Sequence, residues 1–416
     1  MSVLDLLAIL LTLSALFGWV NRKLALLPHT IGLLVMGVAA SLVLLSVDAV
    51  VPGHRASSLI HDVLGRIDFS AVVMDGMLAF LIFAGALSVD VPELRRRAWP
   101  VLALAIVGTG LSTVIVGAGL YGLSLALGHP LPFLWALVFG ALISPTDPVA
   151  VMSTLKSVDL PESLKVQIEG EALFNDGIGI VLFTVLLRFA SGASAAETSP
   201  QAITVLLLRE AAGGLALGAV TGYVAYRAMR AIDDYPVEVL VTLALVTATY
   251  ALAERLDTSG PLAIVAAGLI IGDRGPRYAM SETTRKYVFA LWSLIDEVLN
   301  SVLFLLIGLE VTQLAFAGSN LLLALAAIPL VLVARAVAVA IWPALFPGWR
   351  AHLPPSSVPL LVWAGVRGGI SIALSLSLPD NPAKPAILTC TYAVVLFSIA
   401  VQGASLGLIA RRTVKA

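Results

Sequence analysis

The sequence predicts an all-α membrane protein with about 13 transmembrane helices, from three observations: an apolar composition, the spacing of its apolar runs, and two runs interrupted in the middle. Hydrophobic residues fill 59% of the 416 positions and charged residues 12%, about half the charged share of an ordinary soluble domain. Mean hydropathy is +0.99. A helix that crosses the hydrocarbon core needs about 20 mostly apolar residues. Such stretches lie near residues 3–20, 24–47, 68–88, 99–123, 131–154, 164–188, 204–228, 237–253, 260–272, 289–309, 318–344, 357–378 and 386–409. Polar punctuation such as "DVPELRRRAWP", "RAIDDYPVE" and "GDRGPRYAMSETTRK" separates them.

An odd number of crossings places the termini on opposite sides. With the N-terminus outside, the loops assigned to the cytoplasm carry about three times the Lys and Arg of the external loops, the bias of the positive-inside rule. The expected orientation is therefore N-terminus outside and C-terminus cytoplasmic, with residues 1–416 forming one unit in a bacterial or archaeal cell membrane. No basic leader precedes the first apolar run, so no cleaved signal peptide is expected. The formal net charge of -1 speaks against a nucleic-acid partner, which calls for a clustered basic surface. The lone Cys390 excludes a disulfide framework and a cysteine-built zinc site.

The fifth stretch contains "GALISPTDPVAV", residues 140–151. Pro145 and Pro148 each remove a backbone donor and clash with the preceding turn, so a continuous helix does not survive both. A second break is expected in the twelfth stretch, "LLVWAGVRGGISIALSLSL", where Gly365, Gly368 and Gly369 crowd around Arg367. Seven stretches apart, the two breaks run in opposite directions, the arithmetic of an inverted-topology repeat. Irregular backbone at membrane depth survives only where protein or a water-filled cavity covers it. Secondary transporters build ion sites from such half-helices, whose ends present a positive and a negative pole. Asp147 and Arg367 are expected to meet those poles.

The sixth stretch contains "EGEALFNDGIGIVLF", with Glu171, Asn175 and Asp176. An ionised acid in hydrocarbon costs about 2.5–3.5 kcal/mol even on the lenient insertion scale, so such residues mark pathways. Glu171 and Asn175 share a helix face, whereas Glu171 and Asp176 point about 140° apart. Glu171 is the expected partner of Arg367, because a buried guanidinium needs a carboxylate. Asp176 then remains without a fixed counter-charge. Desolvation favours the neutral form of a carboxyl group in general, and a cation competes with the proton for the same oxygens. An acid that holds either one by turns is the minimum chemistry for exchange. Thr146 and the carbonyls freed at the break offer oxygen ligands suited to a hard ion such as Na+. For Asp147, three roles stay open: direct ligation, ligation through water, or capping of a half-helix. Asn175 is neutral, so the pair with Asp176 carries one charge, which favours one cation per proton.

On "SPTDPVAV" (144–151), "GEALFND" (170–176) and "GVRGGISIALSL" (365–376), with "EVLNSVLFLLIGLEV" (297–311) in support, the chain resembles the monovalent cation/proton antiporters of the NhaP and sodium/proton exchanger kind. The resemblance covers nearly the full chain. It implies the NhaA/NhaP-like antiporter fold with two crossing unwound helices. It also implies a homodimer in which a core bundle, residues 68–190 and 289–410, moves against dimerisation elements, residues 1–47 and 204–272. By motif, Asp176 resembles the ion- and proton-binding aspartate and Asn175 its asparagine partner in the electroneutral branch. Glu171 resembles a glutamate that contacts ion and arginine, Thr146 and Asp147 the unwound-helix pair, and Arg367 the arginine that stands where electrogenic relatives carry lysine. The implied cargo is Na+, with Li+ or K+ as alternatives, against H+, and no cofactor. Ala172 departs from the serine that many relatives carry there, which leaves the choice of Na+ over K+ open.

Asn300 is expected to tie broken backbone together, with direct ion contact as the alternative. Asp75 and Glu297 are either acids of an access funnel or residues at a membrane boundary. Arg335 either snorkels or pairs inside the core. His29, His54, His61, His129 and His352 fall mostly at loop or span ends and are expected to be ordinary surface residues. An intramembrane hydrolase would carry a nucleophile with its base or an H-E-x-x-H motif, and neither is present, so the chain is not expected to be an enzyme. A cation channel would select through rings of ligands along a pore, which a single carboxylate between two breaks does not resemble.

Overall fold

The computed structural model describes residues 3–24, 27–50, 69–155, 158, 160–192, 199–310, 318–345 and 357–415. Among the described residues every regular element is helical. In chain order the helices are α1 (Val3–Leu24), α2 (His29–Val50), α3 (Phe69–Ser88), α4 (Val91–Arg96), α5 (Ala98–Ala126), α6 (Phe133–Ile143), α7 (Pro148–Leu155) and α8 (Glu162–Ala190). They continue with α9 (Gln201–Arg230), α10 (Tyr235–Arg255), α11 (Gly260–Tyr278), α12 (Glu282–Glu310), α13 (Gly318–Leu345), α14 (Val358–Trp363), α15 (Gly369–Leu376) and α16 (Lys384–Thr413).

Helix starts follow local chemistry. Asp90 accepts from the Glu93 N–H at the start of α4, and Ser259 accepts from the Leu262 N–H at the start of α11, each just ahead of a proline in the first turn. The long helix α8 opens with Glu162 in its first turn and closes with Arg188 in its last, the arrangement its dipole favours.

Every one of the thirteen expected stretches carries helix, but fewer meet the length and apolarity of a spanning helix. Nine do so among the described residues, or ten if α1 and α2, bent by 111° at their junction, are taken as one broken span. The stretch at 260–272 continues as helix to Tyr278 through Asp273, Arg274 and Arg277, which dilutes its apolar run. The stretch at 357–378 is split into two short helices.

The helices pack in two groups. In one, α5 to α8 and α13 to α16 lie together: α5 on α6 and α13, α6 on α8, α13 on α16. In the other, α9, α10 and α11 pack with α3, and α12 packs on α2, α1 and α3. Thus α3 and α12, both inside the expected core bundle, rest chiefly on α11 and α2. Small residues allow this. Gly308 of α12 faces the backbone of Leu34 and Gly37 in α2, and Gly218 of α9 faces the backbone of Ala263 in α11, the close approach typical of helix pairs in a bilayer.

Candidate functional site

The helix α6 ends at Ile143 and α7 begins at Pro148, leaving residues 144–147 outside regular helix; α14 ends at Trp363 and α15 begins at Gly369. The two interruptions meet. The Asp147 N–H donates to the Val366 carbonyl at 2.7 Å, a hydrogen bond between backbones that neither helix could use internally. Gly368 permits the approach, since a Cβ there would run into the Asp147 carboxylate. From below, α8 lies against the first break because Gly179 leaves room for the Pro145 ring.

Charged side chains satisfy the loose ends. Asp147 caps α7, accepting from the Val149 N–H at 2.8 Å, a carboxylate on the positive pole of a half-helix. Arg367 serves the opposite pole: its Nη1 donates to the carbonyls of Ser144 and of Pro145, the latter at 2.9 Å, just past the end of α6. The Arg367 backbone N–H donates to Ser398 Oγ at 2.6 Å, while its Nε is buried without a hydrogen-bond acceptor among the described residues.

Glu171 is not the ion-pair partner of Arg367. It binds Arg335 of α13 in a two-pronged pair, Nη1 to Oε1 and Nη2 to Oε2, the second at 3.0 Å. Arg335 also donates to the Leu361 carbonyl in the last turn of α14, from Nη2 at 3.0 Å and from Nε at 3.3 Å. The reason is directional: Arg367 is committed to the carbonyls of the first break, and the planar fork of Arg335 fits a carboxylate and a helix end together. Of the two roles open for Arg335, the structure places it in the core.

Asn175 and Thr146 form a reciprocal pair, Asn175 Nδ2 donating to Thr146 Oγ1 at 2.9 Å and the Thr146 N–H donating to Asn175 Oδ1 at 3.3 Å. The amide thereby stands in for backbone lost at the break. Asp176, one residue on, is 8% exposed and lines a cavity of about 420 Å³. No hydrogen bond or ion pair forms at its carboxylate among the described residues. The cavity lies between the two groups of helices. Thr146, Asp147, Asp176 and Gly368 line it from one side, and His29 of α2 with Asp296, Glu297 and Asn300 of α12 from the other.

Asn300 does not tie the broken backbone; its Nδ2 donates within its own helix to the Asp296 carbonyl at 2.8 Å and to Asp296 Oδ1 at 2.9 Å. Glu297 lines the cavity, whereas the Asp75 side chain lies outside the described residues. His29 is not an ordinary surface residue: it lines the cavity and its Nε2 lies 2.9 Å from Ser301 Oγ. His129 is exposed, and His54, His61 and His352 lie outside the described residues. Sequence reasoning missed Asp296. The available signal was its position four residues before Asn300, on one face of an apolar helix. Ala172 is buried and is not among the residues lining the cavity.

Around the crossing, three carboxylates (Asp147, Glu171, Asp176) face two guanidiniums (Arg335, Arg367). Glu171 and Arg335 neutralise each other, Arg367 is spent on the carbonyls of Ser144 and Pro145, and the cavity lining carries Glu169, Asp296 and Glu297 besides Asp147 and Asp176.

Two broken helices crossing over a carboxylate-lined cavity, inside a helical membrane protein, define the antiporter class of fold. The chain belongs to the sodium/hydrogen exchanger family: the model described as "Sodium/hydrogen exchanger, transmembrane" matches residues 9–412. It is 44% identical to the Na(+)/H(+) antiporter NhaP of Pseudomonas aeruginosa over 416 residues, covering 99% of this chain and 97% of the relative. It is 37% identical to the Na(+)/H(+) antiporter NhaH of Halobacillus dabanensis, covering 81% of this chain and 82% of that one. Among solved structures, the sodium proton antiporter MjNhaP1 of Methanocaldococcus jannaschii superimposes with a TM-score of 0.72 over 99% of both chains, at 20% identity, which establishes the likeness of fold.

Proposed function

We propose that this chain exchanges Na+, and Li+ in its place, for H+ across a bacterial cell membrane, one for one and without a cofactor, by alternating access. The observation that carries the reading is Asp176, an acid shielded from bulk water, open to the cavity and without a fixed counter-charge. The relatives named as Na(+)/H(+) antiporters supply the choice of ions. Proton and cation compete for Asp176; Thr146 and Asp147, beside it in the cavity wall, add oxygens. The group α5–α8 with α13–α16 carries Asp176 and moves against the group built on α2, α3, α11 and α12, closing the cavity on one side and opening a path on the other. The second group also supplies the contact with a second copy of the chain. The cavity reaches Arg22, Ser88 and Val89, at the helix ends beside the basic loops, so it faces the cytoplasm in the orientation that the basic loops favour.

The test uses purified protein in proteoliposomes with a fluorescent pH reporter. Na+ addition is expected to move protons through the wild type and not through Asp176→Asn. Exchange retained in Asp176→Asn removes Asp176 from the mechanism, and Na+ flux without proton movement means a channel. A parallel K+ arm decides the cargo.

A further inference from the structure

The cavity wall opposite the crossing is made by α12, and one of its side chains is held in an orientation that the exchange so far described does not use. Asn300 is 2% exposed and lines the cavity. Both of its recorded hydrogen bonds run from Nδ2 to Asp296, to the backbone carbonyl and to Oδ1. An ionised carboxylate only accepts hydrogen bonds, so it selects the nitrogen side of the amide and turns the carbonyl oxygen away from itself. Among the described residues no donor reaches that oxygen. The oxygen is not among the fully buried side-chain atoms that lack a partner and belongs to a cavity-lining residue, and a neutral oxygen open to a cavity in this way suits a hard monovalent cation. Asp296 and Asp147 line the same cavity, which puts the α12 pair on the space that the crossing faces.

We propose that Asn300, aimed by Asp296, supplies an oxygen ligand to the transported cation from the wall opposite the crossing, with Asp296 acting as a positioning residue. The proposal rests on the exchange reading above. It adds a ligand from the group of helices that does not carry Asp176. Since α12 packs on α2 and α3, this ligand reaches the cation only while the site faces the cavity. Asn300 therefore contributes to cation binding from the cavity side and not from the far side.

The experiment measures Na+ dependence in vesicles of both orientations for the wild type, Asn300→Ala, Asp296→Ala, the double variant and Asp296→Asn. From the cavity side, either alanine is expected to raise KM for Na+ about tenfold, the scale for groups that orient a metal ligand, with Vmax nearly kept. From the far side KM stays put. The double variant is expected to be no worse than Asn300→Ala, because Asp296 acts through Asn300. Asp296→Asn keeps an acceptor oxygen and is expected to recover most of the loss. Should Asn300→Ala fail to fold, as judged by thermal unfolding in detergent, Asn300→Ser shortens the arm and serves the same comparison. Additive losses, an Asp296→Asn as impaired as Asp296→Ala, or an equal KM change on both sides each overturn the proposal. Wild-type protein that moves no protons with Na+ overturns the exchange reading instead.

Discussion

Glu171 and Arg335 hold each other inside the bilayer core through a two-pronged contact, so losing either partner strands the other charge. Breaking a buried pair by removing one side costs about 3–5 kcal/mol, while replacing both is far milder. Glu171→Gln and Arg335→Gln are each expected to lower the thermal unfolding temperature sharply in detergent, and the combined variant to lose less than the two summed. Strict additivity would mean that the charges do not depend on each other. This pairing was only half legible in the sequence. Helical spacing separates Glu171 from Asp176 along one helix, but which arginine faces Glu171 depends on how α8, α13 and α15 pack. Arg367, the obvious candidate, is drawn to the carbonyls of Ser144 and Pro145 instead.

At the scale of the element, the two breaks were legible because proline and glycine act locally. Pro145 and Pro148 do not both fit inside one continuous helix, and the structure ends α6 at Ile143, leaves Pro145 outside regular helix and starts α7 on Pro148. What the sequence could not display is contact between the breaks, such as the Asp147 N–H reaching the Val366 carbonyl at 2.7 Å. Gly368 is the hinge point of that contact. Gly368→Ala drives a methyl group into the Asp147 carboxylate, forcing the half-helices apart. Exchange is expected to fall by about tenfold or more, on the scale by which a small misplacement degrades a preorganised site. Circular dichroism is expected to report unchanged helix content. Wild-type exchange in this variant would show that the crossing tolerates separation. Asn300 was misjudged at this scale, because the role expected of it needed a neighbouring helix and the structure gives it a partner one turn away.

Across the molecule, the runs of apolar residues located helical stretches, since composition separates them from polar loops, but of the thirteen expected spans nine or ten among the described residues have the length and apolarity to cross a membrane. It did not resolve how they associate. The expected bundle included residues 68–88 and 289–309; α3 and α12 pack on α11 and α2, while Val73 of α3 and Phe304 of α12 share a buried cluster with Phe139 of α6 and Ile372 of α15, and small residues such as Gly308 decide which helices approach closely. The proposed stoichiometry bears on the molecule as a unit. In the proposed exchange one cation and one proton take turns at Asp176 and no net charge moves per cycle, so clamping the membrane potential with K+ and valinomycin is expected to leave the exchange rate unchanged. A marked acceleration would require a second proton.

The proposed competition for Asp176 has a direct signature in the dependence of Na+ binding on pH. In proteoliposomes, KM for Na+ is expected to rise as pH falls, approaching about tenfold per pH unit where the proton holds the site, with Vmax unaltered at saturating Na+; linkage of one proton to one cation requires that slope. A KM that stays flat while Vmax changes with pH would mean that proton and cation do not share Asp176.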